Sequence, residues 1–271
     1  NSPTPDLQDW EDFVDRLVNP QHTVKIAVVG KYIELQDAYK SIYESLTIAG
    51  AAHHTKVEIV RVDSESIETE GAQDIIGDVD GILIPGGFGD RGIEGKIQAA
   101  HYARSMRIPY FGICLGMQVA TIEFARNVCG LEGADTTECN KDTPHPVICL
   151  QEEQKGVEDM GATMRLGACE SILFPGTLAA RLYGDADRIN ERHRHRYEFN
   201  PDYLDQLKEA GLTISSISAK EELVEIIELA DHPFYLGAQF HPEFQSKPNH
   251  PHPLFSGFVK AALDSKVVIS A

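Results

Sequence analysis

From Val24 onward the chain alternates short, almost wholly apolar runs with stretches of helical periodicity, and this alternation restricts the possible folds more than any other feature. Val24 to Gly30 (VKIAVVG), Val57 to Val62, Gly81 to Pro85 (GILIP) and Pro109 to Ile113 (PYFGI) read as strands. Tyr39 to Ala51, Glu94 to Met106 and Leu115 to Val128 read as helices between and after them. Strands this apolar must be covered on both faces, which a parallel sheet sandwiched by helices provides. The first half is therefore predicted to be a doubly wound α/β sheet. The second half has shorter strands, at about Val147 to Leu150, Thr163 to Leu166, Thr213 to Ser218 and Leu223 to Leu229, with helices at Leu178 to Leu182 and Pro201 to Ala210. Tyr235 to Phe240 adds a further core strand and Leu254 to Leu263 a closing helix. The predicted architecture is a mostly parallel central sheet flanked by helices, with an additional smaller sheet.

Ahead of this domain, Leu7, Trp10, Phe13, Val14 and Leu17 fall at helical spacing and Asn19-Pro20 ends the run. Residues 1–23 are thus expected to form a short amphipathic helix before a domain spanning 24–271. It either packs on that domain or connects it to a larger protein. With 24 Lys+Arg against 42 Asp+Glu, the net charge of -18 argues against nucleic acid or an anionic membrane as the main partner, since both would be repelled. No apolar run approaches the roughly 20 residues of a membrane helix, and Asn1 to Trp10 lacks the basic-then-apolar order of a secretory signal. The cysteines, at 114, 129, 139, 149 and 169, form no CxxC pair and leave one over in any disulfide scheme, which fits a reducing cytosol.

Chemistry concentrates at Gly112-Ile113-Cys114-Leu115-Gly116, where an apolar strand turns into a helix. Glycines on either side permit a sharp turn that projects one side chain above the sheet, the context of a nucleophile elbow. Cys114 would cap a helix N-terminus, where the macrodipole favours a thiolate, and the Leu115 amide would point to a forming oxyanion. The alternative is a buried structural cysteine. A thiol nucleophile needs a base and a group to orient it. Phe240-His241-Pro242-Glu243 follows a core strand, so His241 should emerge on the same rim as Cys114, with Glu243 able to hold the far ring nitrogen.

Pro85 to Gly92 (PGGFGDRG) contains GxGxxG but lacks the acidic ribose ligand of a dinucleotide site about 20 residues on. Its better use is as a backbone cradle, with the Gly87 amide as second oxyanion donor; losing one such donor costs ~3 to 4 kcal/mol of barrier. Gly95-Lys96 is not a P-loop: the glycine spacing is one residue too long and Ile97 stands where Ser or Thr would hold magnesium. His241, Glu243, His250 and His252 lie close in sequence, but interspersed prolines break metal-ligand spacing and no CxxC or HExxH supports a site, so no metal is expected. Alternation places Arg192, Arg194 and Arg196 on one face of an extended segment, a candidate anion clamp. His53-His54 reads as solvated surface.

GICLGMQ around Cys114, PGGFGDRG at 85–92, ERHRHRYEFN at 191–200, FHPEF at 240–244 and HPLFSGFVKAAL at 252–263 together resemble the glutaminase half of CTP synthases, from about Val24 to Leu263. GICLG with HPE is common to triad-type, class I glutamine amidotransferases, whereas RHRHRYE with GGFGxRG is narrower. The resemblance implies a flavodoxin-like class I amidotransferase fold and L-glutamine as substrate. By that likeness Cys114 attacks the side-chain amide, His241 passes a proton to the departing ammonia and Glu243 orients His241. Water activated by His241 then hydrolyses a glutamyl thioester. Gly87 and Leu115 hold the oxyanion. Gly87, Leu115, Gly116, Met117 and Gln118 line the pocket, with Glu138 suited to the α-ammonium and Arg196 to the α-carboxylate. No cofactor is implied for this domain.

In CTP synthases a synthetase domain of the same polypeptide uses ATP and magnesium to phosphorylate UTP and then accepts the ammonia; GTP stimulates the glutaminase step, and the complete enzyme is a cytoplasmic tetramer. No P-loop here suits that role, so the chain is expected to carry the glutaminase part alone, with residues 1–23 ending the interdomain connection. One rival is another triad-type amidotransferase or a free-standing γ-glutamyl hydrolase, marked by preference for γ-glutamyl peptides. Another is a catalytically idle regulatory or assembly domain, against which the joint presence of Cys114, His241 and Glu243 counts.

Overall fold

Each apolar run of the first half becomes a strand because its two faces meet two separate layers of helices. The computed structural model describes residues 6–150 and 164–269. Its chain opens with α1 (Gln8–Val18), β1 (His22–Gly30), α2 (Lys40–Ala52), β2 (Thr55–Asp63), α3 (Ser64–Glu70), α4 (Ala72–Ile76), β3 (Gly81–Ile84), α5 (Ile93–Met106), β4 (Tyr110–Ile113) and α6 (Leu115–Asn127). There follow β5 (Ala134–Thr136), β6 (His145–Cys149), β7 (Arg165–Leu173), α7 (Leu178–Leu182), β8 (Arg188–His195) and β9 (Glu198–Phe199). The chain ends with α8 (Leu204–Glu209), β10 (Thr213–Ser218), β11 (Val224–Glu228), β12 (Tyr235–Ala238) and α9 (Pro253–Ile269).

The large sheet runs β2-β1-β3-β4-β12-β11-β10-β7-β8, and β5-β6-β9 form a small second sheet against α6. From β2 to β12 the pairing is parallel; from β12 to β8 it is antiparallel. The pleat sorts the parallel strands onto two cores. Ile82 and Ile84 join Ala27, Val29 and Tyr110 beneath α5 and α6, whereas Leu83 joins Ile26, Val28, Phe111 and Ile113 beneath α2 and α9. Covering both faces in this way explains why these strands are continuously apolar.

The second half departs from its expected outline in instructive ways. Its strands extend the large sheet, and only β5, β6 and β9 stand apart. The strand expected from Thr163 to Leu166 begins at Arg165 and continues to Leu173, Thr163 itself lying outside the described residues. β8 alternates exposed and buried along RINERHRH, so its inward side chains are Ile189, Glu191, His193 and His195. That inward face is polar, and hydrophobic periodicity passes over it. His193 Nε2 lies 2.6 Å from Glu225 Oε2, Arg165 Nη2 lies 2.6 Å from Glu225 Oε1, and His195 Nε2 lies 2.6 Å from Glu198 Oε1. Buried charges persist where partners satisfy them.

At the N-terminus, α1 contacts α2 while Leu7, Trp10, Val14, Leu17 and Val18 remain exposed. His53, expected on solvated surface, is half-buried and bonds Ser256 Oγ at 2.9 Å, tying α2 to α9. No helix among the described residues is long and apolar enough to cross a membrane.

Candidate active site

Parallel pairing of β4 with β12 brings two chain segments out on one rim. Ile113 pairs with Ala238, and the Cys114 amide donates to Ala238 O at 2.7 Å. Cys114 adopts φ 52° and ψ -102°, a left-handed conformation for a residue with a Cβ. Such a backbone costs on the order of 1–3 kcal/mol and survives only where its surroundings enforce it. They do so here: its carbonyl accepts from Met117 N at 3.1 Å, opening α6, and a Cβ on Gly116 would lie 2.2 Å from Ile84 O. Only glycine lets α6 start this close to β3. The Tyr110 hydroxyl donates to Gly116 O at 2.8 Å from the other side. The thiol is only 3% exposed, so the elbow sets it at the base of a cleft rather than on an open rim.

On the neighbouring strand, His241 follows β12 and its amide donates to Arg192 O at 2.8 Å. A single 3-10 turn, Pro242–Phe244, folds Glu243 back so that its Oε1 lies 2.8 Å from His241 Nδ1, while Phe244 stacks on the imidazole. Nε2, buried and without a hydrogen bond among the described residues, is left as the nitrogen available to Cys114. Burial alone would lower the His241 pKa, but the Cys114 sulfur and the Glu243 carboxylate outweigh it and raise it to about 10. A Cβ on Gly86 would fall 2.9 Å from His241 Cε1 and 3.5 Å from Cys114 Cβ, so glycine is what lets the 85–92 loop close over both. Behind His241, Glu191 receives hydrogen bonds from the Tyr183 hydroxyl at 2.7 Å and from Gln245 Nε2, and lies 3.0 Å from His252 Nε2.

Cys114, His241 and Glu243 line a cleft of about 330 Å³ together with Tyr39, Gly87 and Arg194, a size suited to a small molecule. Gly87 lies against the Leu115 side chain: a Cβ on Gly87 would sit 3.5 Å from Leu115 Cδ2. The loop is fixed at its next turn, where Gly89 N donates to Glu138 Oε1 at 2.8 Å and Lys31 Nζ donates to Phe88 O. Gln118, Glu138 and Arg196 gather around Tyr197. Gln118 Nε2 donates to Tyr197 O at 2.9 Å; burial raises the Tyr197 pKa, with Glu138 adding to the rise and Arg196 opposing it.

One expectation needs correction. Arg192 and Arg194 share the outward face of β8, but β8 ends at His195 and Arg196 sits in the bend beyond, so the three do not lie on one strand face. The Met117 side chain is fully buried in the core. His252 is engaged by Glu191 and Tyr183. Among the described residues no group of three or more His, Cys, Asp or Glu could hold a metal.

Two residues escaped the sequence reading. Gln239 Nε2 lies 3.8 Å from Cys114 Sγ, and its Oε1 accepts from Gln118 at 3.2 Å. A signal is present in the sequence, since Gln239 is the one amide side chain in the otherwise apolar run YLGAQF. Tyr197, around which Gln118, Glu138 and Arg196 gather, carried no comparable signal.

Residues 34–261 match the family described as glutamine amidotransferase class-I. The chain belongs to that family. Within it, the chain is similar to CTP synthases: it is 53% identical over 262 residues to the CTP synthase of Caldanaerobacter subterraneus subsp. tengcongensis, covering 97% of this chain and 49% of that one. With the CTP synthase of Methanocaldococcus jannaschii it shares 53% over 269 residues, 97% of this chain and 50% of the other. The chain thus spans about half the length of the curated relatives it matches. Among solved structures, the glutaminase domain of Trypanosoma brucei CTPS with bound acivicin superposes with a TM-score of 0.83 at 41% identity, covering 89% of this chain and 94% of that one. PurLQS from Thermotoga maritima, TM-score 0.54 at 16% identity over 90% of this chain and 99% of the other, shares the fold alone.

Proposed function

We propose that the chain hydrolyses glutamine to glutamate and ammonia through Cys114, His241 and Glu243, as the glutaminase domain of a CTP synthase. The observation that carries this reading is the convergence, on one rim, of a cysteine in a strained helix-capping turn and an imidazole whose far nitrogen is 2.8 Å from a carboxylate. With its proton resting on His241, the Cys114 sulfur attacks the carboxamide carbon of glutamine. The amides of Gly87 and Leu115 hold the oxyanion. Collapse breaks the carbon–nitrogen bond, His241 protonates the departing nitrogen, and a glutamyl thioester remains. Neutral His241 then takes a proton from water, which attacks the thioester and releases glutamate and the thiol. Gly116, Gln118, Glu138 and Arg196 surround the amino-acid end, Glu138 toward the α-ammonium and Arg196 toward the α-carboxylate.

In the complete enzyme the ammonia serves ATP-dependent amination of UTP by a synthetase domain of the same polypeptide, in a cytoplasmic tetramer stimulated by GTP. ATP and magnesium have no P-loop to hold them here, since Ile97 stands where Ser or Thr would reach magnesium. They belong with the synthetase domain. The test is Cys114→Ala. Ammonia release from glutamine should disappear while thermal unfolding stays cooperative, and a diazoketone analogue of glutamine should label Cys114 alone among five cysteines. Turnover by the variant at the parent rate, or equal labelling of Cys129, would reject the mechanism.

A further inference from the structure

Lys96 lies in the first turn of α5, just after the loop that carries Gly87, and its side chain is 1% exposed. Among the described residues its ammonium has no hydrogen-bond or ion-pair partner, a costly state for a buried charge. It faces the loop: Nζ would lie 4.0 Å from a Cβ on Gly87, whose other neighbour is Leu115 Cδ2 at 3.5 Å. A positive charge held beside that peptide, on a side chain almost wholly out of water, favours negative charge developing in front of its amide. The same loop is tied at Phe88 by Lys31 and at Gly89 by Glu138, so Gly87 is the link whose only polar neighbour within reach of a Cβ is Lys96.

We propose that Lys96 is a positioning residue for glutamine hydrolysis: its ammonium, set beside Gly87, gives that peptide a local field that favours the oxyanion. This rests on the Cys114 mechanism above. The groups facing Lys96 are Lys31 beyond β1, Arg91 in the loop, Cys139 beyond β5 and Glu68 of α3, which accepts from Gly95 N at 3.2 Å. Burial first, then Lys31 and Arg91, push its pKa down to about 8 against Cys139 and Glu68, so the charge is lost as pH rises through that value.

The experiment compares the parent chain with Lys96→Met and Cys114→Ala. Lys96→Met should lower kcat for glutamine by ~10- to 100-fold with KM changed by less than about twofold, as expected for a group acting through one oxyanion donor. Alkylation of Cys114 by iodoacetamide, which forms no oxyanion, should keep its rate. The parent's kcat should fall above pH 8 where iodoacetamide alkylation does not, and that limb should be missing from the variant. A kcat equal to the parent's, or alkylation slowed in parallel, overturns the proposal. Should Lys96→Met fail to fold, a parent kcat flat through pH 8 overturns it, and Lys96→Arg, which keeps the charge at alkaline pH, supports it by abolishing the fall above pH 8 and overturns it by leaving that fall in place. Glutamine turnover by Cys114→Ala would instead bring down the underlying mechanism, whereas an inactive Cys114→Ala beside a fully active Lys96→Met removes Lys96 alone.

Discussion

The nucleophile and the base stand on adjacent strands of one sheet but are held there by opposite means. Cys114 is placed by sterics: a strained backbone, a helix pressed onto Ile84 O through Gly116, and apolar cores on both faces of β4. His241 is placed by polar contacts, from Glu243 at its ring and Arg192 O at its amide, beside β8, whose inward face is itself a row of paired charges. The boundary coincides with the change from parallel to antiparallel pairing at β12. Sterically set groups tolerate no added atom, whereas polar ones can be adjusted by charge and pH.

The largest effect should come from adding atoms on the steric side. Gly116→Val puts its Cβ 2.2 Å from a backbone carbonyl that cannot swing away, so its cost should exceed the ~3 kcal/mol of ordinary overpacking. Urea unfolding would measure it, and a variant within about 1 kcal/mol of the parent would mean that the elbow is adjustable after all. Next in size is Glu225→Ala on the polar side. Removing this carboxylate leaves His193 without its carboxylate and Arg165 with only the longer contacts to Glu198 at 3.7 Å and Glu221 at 3.8 Å, for an expected loss of ~3 kcal/mol. Burial would raise the Glu225 pKa, but His193 and Arg165 outweigh it and lower it from 4.5. A depressed carboxylate stabilises the fold above its unfolded pKa and loses that contribution as pH falls through the folded one. The gap between parent and variant should therefore be full at neutral pH and narrow in acid; a pH-independent gap would point to lost packing instead.

The same division explains what could be read from the residues alone. Periodicity located the parallel strands and GICLG announced the elbow, because sterically placed elements write their requirement locally as apolar runs and glycines. β8 was legible only as an alternation of Arg and His, since its buried face is satisfied by Glu225 from a strand far along the chain and by Glu198 just past the end of β8. Arg196 falls off the strand because β8 ends one residue earlier, a boundary set by tertiary pairing with β7 at Arg165 and His195. The cluster around Tyr197 depends on three segments meeting, so no single stretch carries it. Gln239 was the exception, a polar residue in an apolar strand whose meaning was locally available.

A smaller effect belongs to Glu243→Gln, which keeps the shape of the orienting side chain and removes its charge. The His241 pKa, about 10 in the parent, should drop, as nitrogen NMR titration of the imidazole would record. A raised histidine pKa stabilises the fold fully below its unfolded value and loses that contribution as pH rises through the folded one. The variant should thus be less stable by ~1.5 to 3 kcal/mol below pH 6, the worth of one charge-assisted hydrogen bond, and match the parent above pH 10. An unchanged imidazole titration would mean that Cys114 alone sets the charge of His241.

The smallest expected effect is the sharpest test of how the base is held. Arg192 touches the site twice: its guanidinium lies 5.9 Å from the Phe244 ring centre, and its carbonyl accepts the His241 amide at 2.8 Å. Arg192→Ala removes only the first. An exposed cation–π contact contributes ~0.5 to 1 kcal/mol, so the unfolding free energy should fall by no more than that. Because the backbone hydrogen bond survives, His241 should keep its titration and glutamine turnover its rate. If turnover instead fell by tenfold or more, the guanidinium would be part of the machinery that places the imidazole, and the base would depend on side chains at every contact. An unaffected rate would assign its position to the backbone of β8 and the carboxylate of Glu243 together.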